Sequence, residues 1–366
     1  MSSGPSVLHV ITDTDRRGAQ IFAYELVRAL SAQGVEGRIV ALEPGRSGSR
    51  LPVPTLGDPW SSPSTLRALR RAITASGAVV GHGSSTLPAC AMAGLFTGVP
   101  FIYRNIGDPR YWVNTVARRL RVRLLLRRPG TVVALWTGTA TALACDLGVP
   151  VNRIRIIPRG VSADTFPPVG KAERRAARQR FGLDADCSVL LALGALSAEK
   201  DLGCAIRAVG LLGSCQLLVA GDGPERQTLE HEASVHASGR VKFAGVVADA
   251  AEAIAAADAI VLSSRSEGLP GVLIEAGLRG VPAAAAAVGG VREIVEDHAS
   301  GRVATPGDHV ALSAAIRDVL DHRAAYGEAA RRRCRERFEM GAVSAQWAEL
   351  LTAILQTACG GGKVRW

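Results

Sequence analysis

Ser264-Arg265-Ser266-Glu267-Gly268-Leu269-Pro270-Gly271-Val272-Leu273-Ile274-Glu275-Ala276 is the stretch around which the rest of the chain can be ordered. An apolar run, Ala259-Ile260-Val261-Leu262, precedes it, and a helical pattern opens at Val272 after the Gly/Pro loop. This reads as a buried strand, a tight turn and a helix start. Glu267 and Glu275 stand eight residues apart, the first in the loop and the second about one turn into the helix. The backbone of Gly268, Leu269, Pro270 and Gly271 is expected at the helix N-terminus, where unpaired N–H groups attract anions. A site of this kind suits a phosphate, a sugar hydroxyl and a ribose together.

Outward from this stretch, strands and helices alternate along the whole chain. Val7 to Thr12 reads as a strand, Ala19 to Gln33 as a helix and Arg38 to Leu42 as a strand, which is a βαβ opening and predicts a parallel sheet. The second half begins the same way, with a strand at Ser188 to Leu193 and a helix at Leu202 to Leu212. The fold class is therefore α/β. At 366 residues two domains are expected. Pro167-Pro168 and the charged run Lys171 to Arg180 mark the boundary, giving domains at 1–167 and 168–340, with a C-terminal helix and tail at 341–366.

Composition narrows the function classes. The formal charge is +10, but only four of the 43 basic residues are lysines, as an Arg-biased coding background would also give. Basicity therefore favours anionic partners only weakly. The seven cysteines are dispersed and show no Cys-x-x-Cys pair, which reads as reduced thiols rather than a disulfide frame or zinc site. No basic n-region opens the chain and no apolar span is long enough for a membrane helix, so a cytoplasmic protein is expected. The segment Arg118 to Arg128 holds six arginines, no acid and interleaved aliphatics. It reads either as a solvated helix face or as a peripheral contact with an acidic membrane surface.

Several single residues carry candidate chemistry. Lys200, in a polar loop after a strand, can pair with a diphosphate. Glu275 can accept from vicinal ribose hydroxyls, and Glu267 from sugar hydroxyls. A carboxylate favoured by the helix dipole would explain Glu275 as well, but not Glu267 in its Gly/Pro loop. His82 ends a strand, where it either lines a cleft or only packs. Gly18 either admits a ligand to the backbone or relaxes a turn. No Gly-x-Gly-x-x-Gly follows the first strand, and there is no Gly-x-x-x-x-Gly-Lys-Ser/Thr, which argues against NAD and against a P-loop. No Asp-x-Asp pair stands in a metal-holding loop, so neither metal nor cofactor is expected.

Taken in order, these motifs resemble the retaining glycosyltransferases of family 4. Glu267 to Glu275 matches that family's Glu-x7-Glu motif. Arg17-Gly18-Ala19-Gln20, Ile157-Pro158-Arg159-Gly160-Val161, Gly194 to Lys200, Gly221-Asp222-Gly223-Pro224 and Val288-Gly289-Gly290 resemble its other segments, in the family's order. The resemblance implies the GT-B fold: two Rossmann-like domains facing across a cleft, with the last helix returning to the N-domain. It implies an acceptor site in the N-domain and a nucleotide-sugar site in the C-domain. Lys200 would hold the diphosphate, Glu275 the ribose, and Glu267 with Gly268–Gly271 the donor sugar and phosphates. Gly245 and Val246 would lie by the base, and Gly18 near the diphosphate.

The implied reaction moves a sugar from a UDP-sugar, or GDP-mannose, to a hydroxyl acceptor in a glycan, glycolipid or secondary metabolite, with no nucleic acid as partner. The chain departs from the family at three places, one of them Arg17, which stands where many members have a first glycine. Ala195 stands where the family has a diphosphate-binding arginine, which Arg265 could replace. Arg104-Asn105 stands where many members have a histidine; Asn105 can hydrogen-bond a hydroxyl but cannot act as a base. These departures keep open an inactive binding subunit or a UDP-sugar epimerase of the same fold.

Overall fold

Apolar runs become strands and the segments between them become covering helices in the computed structural model, which describes residues 6–46, 48–113 and 115–359. The chain divides into two units, one of residues 1–160 and 340–366 and one of residues 161–339. The first crossing thus falls at Gly160/Val161, ahead of the expected 167/168. Val161 donates its N–H to Phe338 O and bridges Glu339, which binds it to the second unit. Gly160 packs instead on Met340 and Val343 of the first.

Unit 1 contains β1 (Val7–Ile11), α1 (Gly18–Ala32), β2 (Gly37–Ala41), α2 (Pro63–Thr74), β3 (Ala78–His82) and α3 (Thr86–Ala93). It continues with β4 (Phe101–Arg104), α4 (Pro109–Trp112), α5 (Val116–Leu125), β5 (Thr131–Ala134), α6 (Thr137–Cys145) and β6 (Ile154–Ile156). Its six strands run parallel in the order β2-β1-β3-β4-β5-β6. Alternation along the strands gives the sheet two apolar faces. Leu8, Val10, Val79, Phe101 and Tyr103 pack with Leu69, Ile73 and Leu87 of α2 and α3. Val7, Ala78, Val80, Ile102 and Val133 pack with Phe22, Leu26 and Leu30 of α1 and with the last helix.

Unit 2 contains α7 (Lys171–Arg180), β7 (Ser188–Leu193), α8 (Leu202–Gly210), β8 (Cys215–Ala220), α9 (Arg226–His236), β9 (Val241–Gly245) and α10 (Ala250–Ala256). After these come β10 (Ala259–Leu262), α11 (Gly271–Leu278), β11 (Ala283–Ala286), α12 (Val291–Ile294), β12 (Gly301–Ala304), α13 (His309–Asp321) and α14 (Arg323–Phe338). Its parallel sheet has the order β12-β11-β10-β7-β8-β9. The charged run at 171–180, expected to mark the domain boundary, is the helix α7 and belongs to this unit. Arg178 fixes it by donating to Asp258 Oδ2 at 2.5 Å and to Ala256 O at 3.1 Å. Asp258 also accepts from Arg323 at 2.6 Å and from Val189 N at 2.8 Å.

The final helix, α15 (Met340–Cys359), returns to unit 1 as expected. Val343, Trp347 and Leu351 are fully buried there against α1. Each such side chain contributes roughly 1.5–3 kcal/mol of burial free energy.

Candidate functional site

The loops leaving β7, β8, β9, β10 and β11 all emerge from one edge of the unit 2 sheet, since its strands are parallel. Open parallel sheets bind ligands beyond this edge. β10 is buried throughout, and Ser263 and Ser264 just past it are buried too. Glu267 Oε1 accepts from Lys200 Nζ at 2.6 Å and from Ser264 Oγ at 2.7 Å. The carboxylate is 10% exposed and the lysine 27%, so the pair is largely withdrawn from solvent screening. Both bonds end on the same oxygen. Among the described residues, Oε2 has no hydrogen-bond partner and only one of the three ammonium hydrogens is used. Lys200 and Glu267 therefore share one place in the fold, each with capacity left for a ligand.

Backbone contacts hold this loop. Ser263 Oγ donates to Lys200 O at 3.0 Å, and Arg265 N donates to Glu199 O at 2.8 Å. Gly290 N donates to Gly268 O at 2.7 Å. A side-chain carbon on Gly289 would lie 2.1 Å from Glu267 O, and its φ of +52 is left-handed, so this position needs glycine on both counts. That accounts for Val288-Gly289-Gly290 as a clamp on the backbone of Glu267 and Gly268.

α11 begins at Gly271, has Pro270 as its N-cap, and carries neither a side-chain cap bond nor an acidic residue in its first turn. Its first amides are thus not satisfied by a side-chain cap. Of the four residues from Gly268 to Gly271, Pro270 has no N–H to offer; it fixes the backbone entry into the helix instead. Gly268, Leu269 and Gly271 carry the donors. Glu275 sits half-buried on the same helix.

Arg265, which could replace the arginine missing at Ala195, is tethered at one nitrogen. Its Nε donates to Asp201 Oδ2 at 3.0 Å while the side chain is 69% exposed. Asp201 holds a left-handed backbone (φ 45, ψ 45) between the Lys200 turn and α8. Gly245, with φ +69, ends the edge strand β9 and accepts from Gly221 N at 2.7 Å. Val246 beyond it is 79% exposed.

The remaining candidates lie in unit 1. Asp13 accepts from Gln20 Nε2 at 3.1 Å and pairs with Arg17, so that arginine's charge is already engaged. Gly18 is the first residue of α1, and what approaches it is a side chain: a carbon on Gly18 would lie 2.7 Å from Arg159 Nη1. His82 lies 3.0 Å from His9, Nε2 to Nδ1, with the rings stacked at 5.3 Å. Burial drives both imidazoles toward the neutral form, His9 to about 3. Asn105 Nδ2 donates to Gly107 O, while its buried Oδ1 has no partner. His82, Asn105, Arg17, Gln20, Ser84 and Ser85 contribute to the walls of a cavity of about 450 Å³. Among the described residues, no group of three His, Cys, Asp or Glu side chains is placed to hold a metal ion.

Two residues of this geometry escaped the sequence reading. Ser264 could have been found, because a polar residue directly ending a fully apolar strand is a signal. His9 sits in the middle of an apolar strand and becomes meaningful only once β1 and β3 are paired.

Residues 173–337 match the model for glycosyl transferases group 1, and residues 16–165 match that for glycosyltransferase family 4. The 2-deoxystreptamine glucosyltransferase of Streptomyces kanamyceticus is 32% identical over 54% of this chain and 53% of its own length. The putative glycosyltransferase EpsF of Bacillus subtilis is 27% identical over 77% of this chain and 79% of its own length. The D-inositol 3-phosphate glycosyltransferase of Geodermatophilus obscurus is 32% identical over 55% of this chain and 48% of its own. The chain thus spans about half the length of two of these three relatives. Among solved structures, HepE of Anabaena, crystallised with UDP and glucose, superimposes with a TM-score of 0.85 at 20% identity, over 95% of this chain and 100% of that one. WaaG, a glycosyltransferase involved in lipopolysaccharide biosynthesis, gives 0.70 at 18% identity, over 94% of this chain and 99% of that one.

Proposed function

We propose, from the premise that the chain belongs to glycosyltransferase family 4 and has the GT-B fold, that it moves a hexosyl group from a nucleoside diphosphate sugar to a hydroxyl acceptor. The observation that carries this reading is the Lys200–Glu267–Ser264 cluster beside the uncapped start of α11. The two unused ammonium hydrogens of Lys200 and the amides of Gly268, Leu269 and Gly271 would hold the donor diphosphate. Glu267 Oε2 would accept from a sugar hydroxyl, Glu275 from the ribose, and Gly245 with Val246 would border the base.

In the reaction, the bond from the anomeric carbon to the diphosphate oxygen breaks and negative charge grows on the leaving phosphate. Donors already in place stabilise that charge better than mobile water does. The acceptor oxygen bonds to the anomeric carbon from the same face, and its proton passes to the departing diphosphate. Configuration is thereby retained without a protein base, which fits the neutral, enclosed His82 and an Asn at position 105. UDP is the preferred nucleotide, as UDP bound to HepE supports. The acceptor would enter the unit 1 cavity, where Asn105 Oδ1, Ser84 and Ser85 suit a polyhydroxylated molecule.

Glu275→Ala tests the donor assignment. Losing two charge-assisted hydrogen bonds of about 1.5–3 kcal/mol each should weaken UDP binding on the order of 100-fold, allowing for incomplete additivity. Unchanged UDP and GDP affinity by calorimetry would remove the ribose role.

The protein would work at an acidic membrane face. No helix among the described residues is long and apolar enough to cross a membrane. On α5, however, Val116, Leu120 and Leu124 are 86, 71 and 61% exposed at a spacing of four, flanked by exposed arginines. Such a face suits an interfacial helix. The chain should sediment with vesicles containing phosphatidylglycerol and be released by salt. If the double variant Leu120→Ser, Leu124→Ser sediments equally, the stripe is not the contact.

A further inference from the structure

Arg104 ends β4 on the face that also carries Ile102, beneath α1 and α15, with His82 opposite it on β3 and the apolar Phe22 against it. It is 1% exposed, and its Nε and Nη1 have no hydrogen-bond partner. Its guanidinium carbon stands 4.0 Å from the centre of the Phe22 ring. A cation over an aromatic face recovers only part of the hydration lost on burial. Among the described residues no carboxylate pairs with it. The charged neighbour it does have is Arg159, of like sign. Burial and that neighbour lower its pKa to about 9, which still leaves it charged at neutral pH.

A buried charge without a counter-charge calls for a partner that enters with a ligand. Three features converge on the start of α1. Arg104 lies over Phe22 in the second turn. Arg159 lies against Gly18, the first helical residue. The helix itself has no side-chain cap and no acidic residue in its first turn. We propose that Arg104 and Arg159, with the first amides of α1, form an oxyanion site in unit 1 for a phosphate or carboxylate carried by a substrate. An oxyanion beside Arg104 supplies the counter-charge that its guanidinium lacks through charge-assisted hydrogen bonds, and the helix N-terminus adds favourable potential. The planar Arg104 group, held over Phe22, keeps Nε–H and Nη1–H unpartnered on two different edges, so each can donate to an oxygen of its own. The site rests on unit 1 residues alone; that its ligand is a glycosyl donor or acceptor rests on the function proposed above.

Calorimetric titration of the full chain with inorganic phosphate, and separately with UDP, tests this in the parent, Arg104→Met and Arg104→Lys. Arg104→Met should bind phosphate roughly ten- to a hundredfold more weakly than the parent. Without anion it should also melt at a higher temperature, because an unpaired buried charge has been replaced by an apolar chain of similar size. Arg104→Lys keeps the charge but not the planar donor set, and should fall between the two. Weakened UDP binding alongside phosphate assigns the oxyanion to the donor diphosphate. Lost phosphate binding with UDP unchanged assigns it to an acidic group on the acceptor. Equal phosphate affinity in parent and Arg104→Met overturns the proposal whatever the melting temperature, since the arginine then serves only the fold. A failure of the glycosyltransferase reading shows separately, as a parent chain that neither binds UDP or GDP nor releases sugar from a UDP- or GDP-sugar.

Discussion

His9 and His82 show how one pair of residues changes meaning with its surroundings. Each reads singly as a histidine in or at the end of a strand; paired, they form a buried, neutral couple against Trp347. Desolvation lowers both pKa values, and for His82 the nearby His9 and Arg104 add to it. The unfolded chain binds protons near 6.5 whereas folded His9 binds them only near 3. The stability this pair contributes is therefore complete above about pH 6.5 and declines as pH falls below it, for His9 by roughly 1.4 kcal/mol per pH unit toward about 3. Urea midpoints measured from pH 7 to 5 should fall more steeply for the parent than for a His9→Gln, His82→Gln variant. Parallel profiles would show that the pair does not set the acid sensitivity. At the same scale the candidate site was largely legible: Lys200, Glu267 and Gly268 do gather. The use of Glu267 Oε1 by Ser264, and of Arg265 by Asp201, was not legible, because each partner is fixed by loop geometry.

Among the elements, α15 carries the clearest consequence. Its Trp347 is fully buried in the cluster with Phe22, Leu26 and Val343, although its indole N–H has no hydrogen-bond partner. Trp347→Ala should destabilise unit 1 by roughly 3–5 kcal/mol through lost burial and a cavity. Trp347→Phe should cost much less, since it also removes the unsatisfied donor. Denaturation followed by hydrogen exchange should show the loss in unit 1 strands and leave β7 to β12 unchanged; a uniform loss would contradict the assignment of this helix to unit 1. Helices with apolar periodicity, such as α1, were readable in the sequence. The charged α7 was not, because its stability comes from Arg178 and Asp258, 80 residues apart. β11 consists of four alanines, poor strand formers, and is a strand because β10 and β12 pair with it on both sides.

For the whole molecule, the net charge of +10 is no guide to function by itself. What matters is where the arginines lie: exposed on α5, tied to Asp258 in unit 2, or buried without a counter-charge at Arg104. The sequence by itself determined that the chain is two parallel α/β units and that the loop around Glu267 opens a helix beside it; the returning helix was implied only by the resemblance to the family. Hydrophobic periodicity, glycine at left-handed positions and proline at a helix start are local constraints, and local constraints can be read along a chain. Only the tertiary structure decided where the units exchange the chain, which oxygen of Glu267 stays available, and that Arg104 stands without a carboxylate. Those outcomes depend on residues brought together from distant strands, and electrostatic balance is a property of the assembled surroundings rather than of any segment.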